Sequence, residues 1–304
     1  MLFRNLSLFR FPPGLSLADL ETRLDDRRLR ACGPMELSTR GFVSPYGRDE
    51  EELVHRSGAF ALVTIGGEDK LLPGVVIREA LAERLAERAA KEGRRIGAKE
   101  RQRLKEEVVA ELLPRAFSRP SRRHTWLDER GGWLVIDTAS RKAAEETVSE
   151  LREALGRFPA TPPAPRESPR ALMTDWLIRG NLPSGLTLGD ECELRDPAET
   201  GASVRCRRQE LESDEVHGHL KSGKQVFQLG LEFDGRIQFV LGEDLVVRKL
   251  RFTDVVLDQI DASDIDSTRA EVDVQFALVT LEVERLLQKL ETWFGWSRPG
   301  KGDQ

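Results

Sequence analysis

From Lys224 to Leu241 the chain reads KQVFQLGLEFDGRIQFVL. Phe227, Leu229, Leu231 and Phe233 alternate with polar or small residues. Asp234-Gly235 supplies a turn, and Ile237, Phe239 and Leu241 continue on one face. A period of two with an Asp-Gly turn predicts an antiparallel hairpin. VVRKLRF, residues 246–252, predicts a further strand. Val272, Phe276, Val279, Val283, Leu286, Leu290 and Phe294 then keep helical spacing, which predicts a long C-terminal helix. Strands and helices mix without regular βαβ alternation, so the fold class is α+β, with mixed sheets and helices, and not α/β.

Working outward, LFRNLSLFRF at the N-terminus reads as a strand. Leu17, Leu20 and Leu24 recur at helical spacing ahead of a Cys32-Gly33-Pro34 stop. GAFALVTI, from Gly58, reads as a buried strand that ends at Gly66-Gly67. HTWLD and GWLVIDT form a strand pair around Glu129–Gly132. Ala144, Val148, Leu151 and Leu155 predict a helix that Gly156 stops. LMTDWLIRG predicts a short helix ending near Gly180. Ser213, followed by Asp214 and Glu215, reads as a helix N-cap with an acidic first turn, and Gly223 as that helix's stop.

Between Pro73 and Pro114 the texture changes. Ile77, Leu81, Leu85 and Ala89 form one narrow stripe; Leu104, Val108 and Leu112 form another. Nearly everything else there is charged, so residues 74–113 predict a projecting helical hairpin turned at Gly93–Gly97. It is either a solvated antenna or a tip that meets another subunit. FPATPPAPRESPR, residues 158–170, reads as a Pro-rich linker. The expected organisation is a central domain of residues 1–73 and 114–157, a tip of 74–113, the linker, and a base domain of 171–304.

The 304 residues include 47 Lys+Arg and 52 Asp+Glu, a net charge of −5, with 39% hydrophobic content. That content supports packed cores and excludes bulk disorder. There is no run of 18 apolar residues, so no membrane partner is expected. Arginines interrupt the apolar N-terminus and no small-residue cleavage site follows, so no signal peptide is expected. Three cysteines without CxxC spacing fit a reducing, cytoplasmic setting.

The acidic total conceals a basic centre. From Arg94 to Arg123 ten basic residues face four acidic ones, a local +6 that leaves −11 elsewhere. The candidates there are Arg94, Arg95, Lys99, Arg115, Phe117, Ser118, Arg119, Arg122 and Arg123. A second knot is Arg205, Arg207 and Arg208 with Gln209. Guanidinium forks with Ser and Gln suit phosphate oxygens, and a phenyl ring at Phe117 can stack on a base or wedge a base step. The competing reading makes Phe117 a core anchor and the arginines a solvated face.

No catalytic set stands out. His217-x-His219 with Cys206 has poor metal-ligand geometry, because residues i and i+2 of a helix point apart. Asp258, Asp261, Asp264 and Asp266 cluster ahead of the last helix. Arg269 stands where an EF-hand taking Asp264 as its first position needs glycine. A metal-dependent DNA-processing enzyme built on the Asp258–Asp266 cluster is therefore the alternative reading. No GxxxxGK(S/T), GxSxG or GxGxxG occurs, and no cofactor is implied.

FRNLSLFRF at 3–11, LLPRAFSR at 112–119, the stretch 125–156 with TW, VID, AEET and LREALG, MTDWL at 173–177 and GRIQFVL at 235–241 follow one another in order. Together they resemble the RdgC family of recombination-associated proteins, across essentially the whole chain. The resemblance implies a non-enzymatic protein, nucleoid-associated in the cytoplasm. It implies a ring-shaped homodimer with a positively charged hole wide enough for double-stranded DNA. DNA, single-stranded as well as duplex, would be bound with little sequence preference, restraining the RecA recombinase. The family's gate phenylalanine matches Phe117, and its DNA-facing basic-Gln pair matches Arg208-Gln209. The family often has Lys at the first of that pair; Arg208 keeps the charge but presents a fork. After AFSR this chain reads PSRRHTW, whose Arg122 and Arg123 extend the basic rim.

Overall fold

A computed structural model describes residues 3–198, 201–259 and 267–296. It is a mixed α+β fold, as expected, with two antiparallel sheets. One sheet contains β1 (Ser7–Arg10), β2 (Ser38–Val43), β3 (Val54–Ser57), β4 (Phe60–Lys70), β5 (Ser118–Asp128) and β6 (Trp133–Ile136). Its order is β1-β6-β5-β4-β2, with β3 also on β4. The other contains β7 (Leu186–Arg195), β8 (Ser203–Arg207), β9 (Gln225–Phe233), β10 (Ile237–Gly242) and β11 (Val247–Phe252), ordered β11-β10-β9-β7-β8. The helices are α1 (Leu20–Asp25), α2 (Gly74–Glu92), α3 (Ala98–Leu112), α4 (Arg141–Leu155), α5 (Pro169–Arg179), α6 (Asp214–Lys221), α7 (Asp254–Leu257) and α8 (Thr268–Phe294).

The chain divides into two compact units. One comprises Met1–Asp26, Ser44–Thr64 and Arg123–Gln304; the other comprises Arg27–Val43 and Ile65–Arg122. In the first unit, α8 begins at Ser267, whose hydroxyl accepts from the Ala270 amide at 3.2 Å, and ends at Gly295 in the left-handed region. Its predicted stripe is buried throughout, from Val272 to Phe294. That stripe shares one core with Trp126 and Trp133 of the first sheet and with Leu229, Leu231 and Phe233 of the second. Residues on both sides of the Pro-rich stretch therefore lie in this unit. The stretch itself is held: Thr161 exchanges backbone hydrogen bonds with Arg10, Arg152 donates to the Phe158 and Ala160 carbonyls, and the Arg166 amide donates to Phe294 O.

The 224–241 hairpin forms with Asp234 and Gly235 both at positive φ. One residue departs from the expected face. The pairing of β7 with β9 shifts between Glu193 and Leu194, so that Val226 enters the core in place of Phe227. The half-buried Phe227 ring instead lies under the guanidinium groups of Arg195 at 4.7 Å and Arg170 at 5.1 Å.

In the second unit, α2 and α3 occupy the predicted hairpin, with Gly93 in the left-handed region closing α2. Each helix buries one residue, Leu81 and Val108 respectively. Ion pairs join much of the rest: Arg84–Glu111 at 2.6 Å, Arg88–Glu100 at 3.4 Å and Arg94–Glu100 at 2.9 Å. Gly66 and Gly67 do not end a strand; β4 runs through both to Lys70. A Cβ on Gly66 would stand 2.7 Å from Val43 Cγ1, and one on Gly67 would stand 2.8 Å from Arg40. The glycines permit close packing on a continuous strand.

His55 on β3 is 6% exposed, edge-on to Phe276, with Nδ1 2.9 Å from the Tyr46 hydroxyl. Its Nε2 is 3.5 Å from the Asp273 carboxylate. Burial pushes the imidazole below its ordinary value; Arg269 adds to this, whereas Asp273 and Glu52 oppose it. The unfolded chain therefore takes up the proton first as pH falls. Stability is lost as pH drops through the ordinary histidine value of about 6.5. Melting temperatures measured from about pH 7.5 to 5.5 should fall, and His55→Gln should flatten that decline.

Candidate nucleic-acid interface

The AFSR segment is fixed by its main chain and open at its side chains. Pro114 lies in a single 3-10 turn, Leu113–Arg115, where its missing amide costs nothing, and Leu113 is buried beneath. Ala116 is extended and β5 starts at Ser118. The Leu71 amide donates to Phe117 O at 2.7 Å and Lys70 Nζ to Ala116 O at 3.4 Å. The Phe117 side chain, in contrast, is 84% exposed. It is not a core anchor. Ser118 is exposed beside it, and the Arg115 and Arg119 side chains are exposed with no partner among the described residues. An unpaired guanidinium on each side of a solvent-facing ring offers phosphate forks around a stacking or docking plane.

The other cations of the basic window separate into groups. The side chains of Arg95, in the turn between the hairpin helices, and Lys99, in the first turn of α3, are exposed and unpartnered among the described residues. Arg94 is tied to Glu92 and Glu100, and its hydrogen bond holds the Glu100 carboxyl below its ordinary range. Arg122 is exposed but engaged within the protein. Arg123 donates to Ala143 O and Thr147 Oγ1 of α4, each at 2.9 Å, so its fork is occupied internally.

The same unit as the hairpin holds a cavity of about 300 Å³ beside α3, lined by Met35, Leu37, Val109, Ala110 and Leu113. Met35 and Leu37 are each 61% exposed. Neither sits in a periodic segment, so neither carries a sequence signal.

The second basic knot lies in the other unit, on β8 and just after it. Strand alternation turns Arg205 and Arg207 outward and Cys206 inward, where it pairs in register with Cys192. Burial and the neighbouring thiol push the Cys192 thiol up to about 12. Arg205 bonds Glu193 at 3.1 Å. Burial raises that carboxylate's pKa, but Arg195 and Arg205 outweigh it and hold the group below its ordinary range. Arg207, Arg208 and Gln209 line an open groove of about 920 Å³ across the second sheet. Arg208 stands at φ +52°, a left-handed conformation unfavourable for a side chain with a Cβ. Gln209 Nε2 donates to Glu215 at 2.9 Å. Lys249 and Arg251 complete the groove's cations. They lie on β11, about forty residues away in sequence, and only strand pairing brings them here.

Among the described residues no three His, Cys, Asp or Glu side chains are placed to share a metal ion. Asp261, Asp264 and Asp266 fall outside the described residues. No described helix is long and apolar enough to cross a membrane.

A family model described as "Putative exonuclease, RdgC" matches residues 1–297. The chain belongs to the RdgC family. An RdgC relative from Xanthomonas campestris pv. campestris is 50% identical over 292 residues, covering 96% of this chain and 97% of the relative. One from Xanthomonas axonopodis pv. citri is 50% identical over 293 residues with the same coverage. One from Xylella fastidiosa is 47% identical over 292 residues, again with 96% and 97% covered. All three carry the name recombination-associated protein RdgC. That places the chain among proteins of DNA recombination. The relatives' name is not that of an enzyme, whereas the family description names an exonuclease.

Proposed function

We propose that this chain is a non-enzymatic, non-sequence-specific binder of double-stranded DNA. It closes as a homodimeric ring around the duplex, in the cytoplasm and at the nucleoid, and so restrains RecA-dependent recombination. The supporting observation is Phe117, 84% exposed on a pinned backbone between Arg115 and Arg119, which are unpaired among the described residues. Exposed phenyl surface of that size calls for an occupant. The apolar cavity of about 300 Å³ at Met35 and Leu37 of a second copy offers it an apolar seat, and a two-fold axis would form the contact twice. The ring's working parts are then a tip (74–113), a centre (1–73 with 114–157) and a base (171–304) joined by the Pro-rich stretch. Cations facing the hole meet phosphate, and counterion release drives binding. The same cations accept single strands.

A mobility-shift titration on linear and closed circular duplex across a salt series tests this reading. Expected are retarded, intact DNA, little sequence preference and steep weakening with salt. No shift at low salt, or strong preference for one sequence, sinks it. Incubation with magnesium or manganese separates the alternative: nicked plasmid or shortened linear ends would establish a nuclease instead.

For Phe117→Ser, sedimentation should show dimers dissociating at protein concentrations where the parent chain stays dimeric, and retention on circular DNA should drop. Parent-like dimerisation together with parent-like retention removes Phe117 from both roles.

A further inference from the structure

The groove on the second sheet contains more positive charge than the 205–209 knot, and part of it is held in check. Gln238 on β10 stands opposite Arg251 of β11 on one side and Glu232 of β9 on the other. Its amide donates to the Glu232 carboxylate at 2.7 Å. Arg251 is left exposed and without an ion-pair partner among the described residues. Across the groove, Glu191 is the register partner of Arg207. Its carboxylate nevertheless takes the ammonium of Lys249, leaving Arg207 unpaired among the described residues.

Lys249 reaches that pair from a left-handed backbone at φ +53°, the conformation of Arg208 on the opposite wall. Such conformations persist in residues with a Cβ only where surrounding structure imposes them, and they concentrate at functional sites. The floor between the walls is bare: a Cβ on Gly230 would stand 2.8 Å from Glu191 O, and one on Gly189 3.0 Å from the Gly230 carbonyl carbon. Asp190 and Glu210 add two more carboxylates to the lining. Four cations thus face four carboxylates; Lys249 and Glu191 form an ion pair, and the three arginines, like Asp190, Glu210 and Glu232, have none among the described residues.

We propose that Arg251 contacts a DNA phosphodiester from the far wall of this groove, and that Glu191 tempers the same site by holding Lys249. The proposal rests on the DNA-binding reading and adds a wall that the 205–209 knot does not supply. Four strand spacings separate β11 from β8, about 19 Å on an untwisted sheet. That is several phosphate steps of one strand, at roughly 3.4 Å of helix axis each. Arg251 and Arg207 therefore meet different phosphates, and their contributions to the salt dependence are separate. An anionic partner competes with Glu191 for Lys249, so the acid sets affinity below what the cations alone would give.

The test is a salt titration of duplex binding by the full chain and by Arg251→Ala and Glu191→Gln, with melting curves to confirm folding. Arg251→Ala should weaken binding on the order of tenfold at about 0.1 M salt, and flatten the log–log slope by roughly one unit for each phosphate no longer neutralised. Glu191→Gln should tighten binding several-fold at low salt, a gain that removal of a structural ion pair would not produce. If the parent chain shifts DNA while Arg251→Ala keeps its affinity and slope, the assignment of Arg251 is overturned and the DNA reading stands. If Glu191→Gln binds no tighter, the tempering role is overturned. If the parent chain fails to shift DNA at low salt, both the reading and the proposal fail.

Discussion

Duplex-DNA affinity of the Arg115→Ala, Arg119→Ala double variant is expected to fall on the order of a hundredfold or more at about 0.1 M salt. Each guanidinium that neutralises a phosphate contributes close to ~0.9 to the slope of log affinity against log salt. Two such groups per subunit make four in the proposed dimer, so the slope should shrink by roughly three to four units. Both side chains are exposed and unpartnered among the described residues, so nothing in the fold depends on them. The melting temperature should stay within about 2 °C of the parent, as surface changes away from packed features cost little. Filter binding or fluorescence anisotropy across the salt series reads both quantities. Parent-like affinity with an unaltered slope would refute the assignment of these two arginines.

The largest expected change in stability is at Glu282. This carboxylate on α8 is 1% exposed and grips Arg236 through two bonds, 2.6 Å and 3.0 Å, with Arg285 at 3.5 Å. Arg236 closes the turn of the β9–β10 hairpin, and Arg285 also reaches Asp234 of that turn at 3.2 Å. Glu282→Ala leaves the Arg236 guanidinium without its partner in a mostly buried site. Breaking a buried pair by removing one member costs about 3–5 kcal/mol. For a unit of this size that corresponds to a fall of roughly 6–10 °C in melting temperature. Replacing both residues together, Glu282→Met with Arg236→Met, should cost much less, because no charge is then stranded. A single variant that melts within about 2 °C of the parent would show that the pair is not integral to the hairpin's seating.

The parts of the fold legible in the sequence are those with clean periods. The α8 stripe, the 224–241 hairpin and the paired helices 74–92 and 98–112 each repeat one spacing long enough to be recognised. The rest lacks such a period. β7 carries Gly189-Asp190 at a register shift between Leu188 and Cys192, which breaks alternation in mid-strand. β8 is an edge strand with one buried residue in five, so its sequence resembles a loop. β2 and β3 are short and mixed in burial, and they leave as faint a pattern. Phe227 falls on the core face by alternation alone, because a bulge changes which residue faces inward without leaving a mark in composition.

The candidate site is legible as charge but not as geometry. The basic window and the 205–209 knot are visible as runs of letters. Which arginines are committed internally is not: Arg123 is bound to α4, whereas Arg115 and Arg119, nearby in sequence, are unpartnered among the described residues. Arg251 carries no local signal, because its neighbours in space come from strands that end well before it in the chain.

The helices that bury one residue each, Leu81 and Val108, are joined chiefly by charged rows. An element built this way has little interior to disturb. Whole turns could be added or removed between Pro73 and Leu113 without leaving a void or forcing a side chain out of place, provided the charged rows stay in phase. The arm can therefore drift in length over evolutionary time while the tryptophans and phenylalanines packed around α8 stay as they are. The length of the hairpin becomes a quantity that selection can tune independently of foldability.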